Sequence, residues 1–270
     1  MADTHEAIAT GHDDAKFGIA MGDLAPALDA VASAGETVRL VGVGAHVGSQ
    51  LTRIEDYLEG ARVVVEVARH HAARFAPRKA GVAGAEFVDF GGGFGIDYGD
   101  GCPVRPADFA REAVTLVREA LPPSTTLVIE PGRCLVGAHG VLVASVVAEK
   151  HSGARRWLVL DAGMTDLLRP ALYGARHRIE SLDTPPREAG THWRVVGPVC
   201  ESTDDFGEFP LGEPAPTRVV IRDTGAYGYT MASHYNGRGY PTEVFVHADG
   251  SVTCSRAGSA AEWVAERHKA

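Results

Sequence analysis

Lysine is scarce in this chain: four residues in 270, at Lys16, Lys79, Lys150 and Lys269. Lysine and arginine together number 26 against 35 acidic residues, for a formal net charge of −9. That balance excludes a broad phosphate-neutralising surface, so neither nucleic acid nor an anionic membrane is the main partner, though a local basic pocket is still allowed. No apolar run is long enough to span a bilayer. The opening "MADTHEAIATGHDDAKFG" lacks the apolar centre of a secretory signal. Only four cysteines occur, Cys102, Cys134, Cys200 and Cys254, and no two form a CxxC pair. This excludes a disulfide framework and fits reduced thiols in a cytoplasmic protein.

What is present is an alternation. "VRLVGVGAHVG" (38–48), "EFVDF" (86–90) and "TTLVIEPGRCLV" (125–136) read as strands. Between them, "EDYLEGARVVVEVARHHAARF" (55–75) and "PADFAREAVTLVREAL" (106–121) carry apolar residues at helical spacing, with Pro106 suited to a first turn. Strands that are apolar throughout, separated by helices, predict a parallel sheet covered on both faces. Past about Gly140 the rhythm changes. "VLVASVVAEK", "RRWLVLDAG", "WRVVGPVCES", "TRVVIRDTGAYG" and "TEVFVHADGSVTCSR" predict a mostly antiparallel β domain, closed by a helix over "SAAEWVAERH" (259–268). The boundary falls near Gly137–Gly140, giving domains of 1–138 and 139–270.

The candidate chemistry lies where strands end. Gly91, Gly92 and Gly93 follow a buried strand directly. Their N–H groups, unhindered by Cβ atoms, offer an anion cradle; a tight turn would explain them as well. In "HVGSQ", His46 suits stacking on a flat cofactor and Ser49 suits a phosphate, or else the pair is a core histidine and a helix cap. "IEPGRCLV" sets Glu130, Pro131, Gly132 and Arg133 at a third strand end, as a ligand site or as a structural ion pair. Downstream, Arg169 and Tyr173 share a face if "DAGMTDLLRPALYGA" is helical there. Cys200 beside Glu201 in "GPVCES" reads as a small core residue or a proton donor. Tyr227 sits in a Gly/Ser/Asn-rich stretch of the kind that serves sites.

Taken in order, "KFGI", "HVGSQ", "GGGFGIDY", "EPGR", "DAGMTDLLRPALYGA", "GPVCES" and "GAYGYTMASHYNGR" resemble the diaminopimelate decarboxylases. These are pyridoxal-phosphate enzymes built on an alanine-racemase-like barrel. The resemblance implies a partial (β/α)8 TIM-type barrel followed by a β domain. It implies pyridoxal 5′-phosphate held by Gly91, Gly92 and Gly93, with Ser49 and Tyr227 on the phosphate, His46 on the ring, and Glu130 at the pyridine nitrogen. Pro131 and Gly132 shape that strand end. Arg133 serves both cofactor and substrate, and Arg169, Tyr173, Glu201 and Tyr227 read the substrate. Cys200 returns a proton after carbon dioxide leaves meso-diaminopimelate, giving L-lysine. It also implies a homodimer with shared active sites. The runner-up readings are a related decarboxylase of basic amino acids and an inactive regulatory homologue.

One departure from the family is plain. Its members carry an earlier strand–helix portion that bears a Schiff-base lysine, and none of the four lysines here occupies that place. The sequence therefore reads as a fragment, a split gene or the tail of a longer chain, and decarboxylation by these 270 residues alone is not expected.

Overall fold

The computed structural model describes residues 16–76, 83–101, 104–183, 190–255 and 260–267. Lys79, Cys102 and Lys269 lie outside them, as do both ends of the predicted closing helix. Contacts divide the chain into two compact units. The first holds residues 1–97 and 101–135; the second holds 98–100 and 136–270.

The first unit runs α1 (Leu24–Ser33), β1 (Gly42–Gly44), α2 (Ile54–His70), β2 (Phe87–Asp89), α3 (Pro106–Ala120) and β3 (Thr126–Val128), ending in a short α4 (Arg133–Val136). The strands pair in parallel in the order β1-β2-β3. Val43 lies opposite Val88, and Val88 opposite Leu127. The helices form as their patterns dictate. α2 buries Tyr57, Ala61, Val64, Val65 and Ala68, and α3 buries Phe109, Ala113 and Val117. Both stripes follow the i, i+4 spacing of one helical face. Pro106 opens α3, where its missing N–H removes no intrahelical bond. Tyr57 stacks on Phe94 with ring centroids 4.5 Å apart, and Phe109 closes the cluster.

The second unit contains β4 (Leu142–Ser152), β5 (Arg155–Leu160), α5 (Arg169–Tyr173), β6 (Ile179–Ser181), β7 (Trp193–Val196), β8 (Asp205–Phe209), β9 (Arg218–Ile221), the hairpin β10 (Val244–Val246) and β11 (Val252–Cys254), and α6 (Ala260–Arg267). Six strands form one sheet in the order β6-β9-β4-β5-β7-β8. All its pairings are antiparallel except β5 with β7. Leu158, Leu160, Trp193, Val195, Val219 and Ile221 are fully buried at its core. The Trp193 indole donates its N–H to the Gly212 carbonyl at 2.8 Å, which satisfies the one polar atom of that ring.

The structure departs from the sequence reading in length and in count. The first strand was expected over 38–48, yet only Gly42–Gly44 joins the ladder. An apolar run marks burial, whereas a strand requires a partner chain at each residue. The sequence pattern does not predict α1, β6 or β8. β8 ("DFGEF") has no β-branched residue and is held by the edge of β7.

Candidate active site

In the first unit, every feature of interest lies at the carboxyl ends of the three parallel strands, the usual site edge of such sheets. The loops are knitted by backbone bonds. Ala45 N–H donates to Asp89 O at 3.0 Å, Glu130 N–H to Gly91 O at 2.9 Å, and Leu51 N–H to Gly93 O at 2.9 Å. Close approach explains the glycines. A Cβ on Gly92 would stand 2.3 Å from Glu130 O, and one on Gly93 would stand 2.1 Å from Gly48 O. Gly93 also has φ +88°, a conformation that L side chains rarely adopt. Two of the three N–H groups have acceptors here: Gly91 donates to Asp89 Oδ1 at 2.8 Å and Gly92 to His46 Nδ1 at 3.1 Å. An Nδ1 that accepts leaves the His46 proton on Nε2, so the ring is neutral in this arrangement.

Arg133 is 8% exposed and donates from Nη2 to Ser49 Oγ at 2.9 Å. A buried guanidinium facing a neutral hydroxyl is well placed for an anion. Gln50, quoted within its motif but given no role from sequence, has φ +58°. Its amide nitrogen donates to Ile96 O at 2.7 Å and its carbonyl accepts from Ile96 N–H, fastening one loop to the other. Burial raises the pKa of the Tyr57 phenol, with the nearby Cys134 and Asp56 adding to it.

The second unit presents its own group. Arg169 opens α5, is 6% exposed, and lies over the Tyr98 ring at 4.7 Å. Its Nη1 donates to His177 Nε2 at 2.8 Å, and His177 Nδ1–H donates to Arg222 O at 2.9 Å. His177 is therefore neutral and orients the cation. Tyr173 ends the same helix, half-buried. Cys200 and Glu201 are both exposed in the loop between β7 and β8. Glu201 Oε1 accepts from the Tyr235 hydroxyl at 2.5 Å, and that bond raises the Tyr235 pKa. Tyr227 is exposed with φ +58°, a strained backbone of the kind that gathers at sites and costs roughly 1–3 kcal/mol. His177 and Tyr235 had no role in the sequence reading. A histidine and a tyrosine in polar stretches carry no signal until their partners are seen.

Residues 1–137, just over half of the chain, match the family model "Pyridoxal-dependent decarboxylase, pyridoxal binding domain". The chain belongs to the pyridoxal-dependent decarboxylase family. Among curated decarboxylases it is 37% identical over 270 residues to diaminopimelate decarboxylase of Zymomonas mobilis, covering 98% of this chain and 61% of that one. Among solved structures it resembles Helicobacter pylori diaminopimelate decarboxylase complexed with L-lysine, with a TM-score of 0.83, 32% identity, and coverage of 99% of this chain and 64% of the other. Lysine/ornithine decarboxylase of Vibrio vulnificus complexed with putrescine is more distant, with a TM-score of 0.66, 26% identity, and coverage of 82% and 58%. The chain thus spans about three-fifths of the length of these relatives. The fold is that of the decarboxylases: α/β with a parallel barrel portion and a β domain.

The strand-end residues of this decarboxylase-family chain fit a phosphate-bearing cofactor. Ser49 and Arg133 already touch. Gly93, pressed against Gly48 beside Ser49, has an N–H that donates to no acceptor among the described residues. A hydroxyl, a guanidinium and a backbone N–H make a donor set suited to a dianion.

Proposed function

We propose that this chain forms the larger part of a pyridoxal-5′-phosphate-dependent decarboxylase that converts meso-diaminopimelate to L-lysine. Residues 1–138 form the cofactor domain and 139–270 the β domain. The observation that carries the reading is the buried Arg133 guanidinium on the Ser49 hydroxyl at a glycine-lined strand end. The greater likeness to diaminopimelate decarboxylases than to the lysine/ornithine enzyme supports the diacid substrate.

When bound, the cofactor supplies an electron sink for the pair left as carbon dioxide departs. The residues of this chain do the rest. Arg133, Ser49, Tyr227 and the Gly91–Gly93 turn hold the phosphate, with Pro131 and Gly132 shaping the turn that presents Arg133. His46 covers the ring face, and Glu130 holds a proton at the pyridine nitrogen. Arg169 and Tyr173 take the distal carboxylate of the substrate, Glu201 its distal ammonium, and Arg133 and Tyr227 assist. Cys200 gives a proton to the substrate carbon that lost its carboxylate. The enzyme works in the cytoplasm as a homodimer that shares active sites.

The cofactor half is tested by equilibrium dialysis of pyridoxal 5′-phosphate against the full chain. Arg133→Ala should weaken binding by roughly tenfold or more, as loss of a charge-assisted contact does. Unchanged binding overturns the phosphate role. For the reaction, the chain is mixed with the barrel portion of a relative that bears the Schiff-base lysine, and carbon dioxide release is measured. Release from meso-diaminopimelate alone supports the proposal. Release from lysine or ornithine instead moves it to the diamine-forming enzymes. Cofactor binding without any release points to a regulatory homologue.

A further inference from the structure

The loop that carries Cys200 and Glu201 runs from Gly197 to Asp204, between β7 and β8. Its backbone is folded tightly on itself. Gly197 N–H donates to Asp204 O at 2.9 Å, Glu201 N–H to Val199 O at 2.8 Å, and Asp204 N–H to Glu201 O at 3.1 Å. The Asp204 side chain lies beneath, 3% exposed. Its Oδ2 accepts the Val199 N–H at 2.7 Å, and its Oδ1 accepts the Met164 N–H at 2.6 Å. One carboxylate therefore ties the residue just before Cys200 to a separate turn, Asp161–Met164. That turn is braced in turn by Asp166, whose Oδ2 accepts from Gly163 N–H at 2.9 Å and from Thr165 Oγ1 at 3.1 Å, and by Arg238, which donates to Asp161 O.

Two glycines mark the same point. A Cβ on Gly163 would stand 2.6 Å from an Asp204 oxygen, and one on Gly197 would stand 2.3 Å away. Neither glycine has a left-handed φ. Backbone conformation therefore does not call for glycine at either position; room for the carboxylate does.

We propose that Asp204 is a positioning residue: it clasps the Cys200–Glu201 loop to the Asp161–Met164 turn and so fixes the direction of the Cys200 thiol and the Glu201 carboxylate. The inference rests on the roles proposed for those two residues. The clasp needs a carboxylate. Two N–H donors arrive at two different oxygens, and among the described residues no other side chain accepts at both ends. Asparagine would turn an NH2 group toward one of the donors. Glutamate would drive its longer arm into Gly163 or Gly197. Cys200 sits in a loop with no ladder to hold it, and a proton donor must be held close to its working geometry.

The test needs neither cofactor nor substrate, so it is readable even if the decarboxylase reading fails. In the full chain, iodoacetamide labelling of each cysteine is followed by peptide mass spectrometry, with Cys254 as the exposed reference. Amide exchange is followed at Val199, Met164 and Val195. Asp204→Asn should change the Cys200 labelling rate threefold or more and strip protection from at least one of Val199 and Met164, leaving Cys254 and Val195 as they were. Gly197→Ala, which crowds the carboxylate without removing it, should do the same. A folded Asp204→Asn chain with unchanged Cys200 labelling and amide protection overturns the proposal. So does uniform loss of protection in both variants, which makes Asp204 an ordinary part of the core. Where decarboxylation is measurable, Asp204→Asn should lower kcat while cofactor affinity holds.

Discussion

Tyr57 is buried at 2% exposure, yet its hydroxyl has no hydrogen bond among the described residues. The nearby Gly95 N–H is committed to Leu51 O at 3.1 Å. A buried hydroxyl left unmade costs about 1–3 kcal/mol. Tyr57→Phe keeps the stack on Phe94 and removes that cost, so urea unfolding should show it stabilised by about 1 kcal/mol; a loss of stability would mean that the hydroxyl has a partner. Glu201 gives the opposite case. Under the role proposed for Glu201, Tyr235→Phe, which removes the donor that orients its carboxylate, should raise the Michaelis constant of the chain complemented with the lysine-bearing barrel portion while cofactor affinity stays fixed. Of the residues singled out from sequence, His46, Ser49, the glycines and Arg133 come together at one set of strand ends. They were legible because parallel strands deliver their loops to one edge. Asp204 and Tyr235 are not legible as individual residues: both lie in polar loop stretches, and burial distinguishes the first and a hydrogen-bond partner the second.

At the level of elements, the alternation of strand and helix was visible in the sequence because each helix carries a complete apolar stripe. Strand limits were not visible, since the ladder depends on neighbours distant in sequence. β6 is the clearest case: Ile179–Ser181 is three residues whose pairing is decided by β9. The sheet of the second unit is organised on Trp193, which is fully buried and bonded through its indole N–H. Trp193→Ala should cost about 3–5 kcal/mol, the usual range for a large aromatic removed from a core. Chemical denaturation measures this, and a loss under 1 kcal/mol would show that the sheet does not depend on that ring.

For the molecule as a whole, acidity is the informative variable. Asp108 is lowered to about 2 by its bond to Arg105, with Arg111 adding to it. Asp183 is lowered by the Thr217 hydroxyl and by the N–H groups of Thr217 and Arg218. A carboxylate with a lowered folded pKa stabilises the native state above its ordinary value and loses that contribution as pH falls through the folded value. The urea midpoint should therefore decline from about pH 5 toward pH 2, and Asp183→Asn should flatten the decline. Asp204 runs the other way: burial raises its pKa. Ionising it in the fold therefore costs stability as pH climbs above the usual carboxylate range, a cost that the Val199 and Met164 N–H groups reduce. A midpoint that rises on acidification would contradict the first assignment.

One pairing carries a topological debt. β5 and β7 lie side by side and point the same way, and neighbours of that kind cannot be joined by a tight hairpin. The polypeptide must leave the top of one and return to the bottom of the other, and on the way it supplies β6 to the edge of the same sheet. That return journey, from Asp161 to His192, is where Arg169, Tyr173 and His177 reside. Engineers who try to abbreviate the detour will find the strand crossing inseparable from the residues proposed for recognition, because one stretch of peptide carries both.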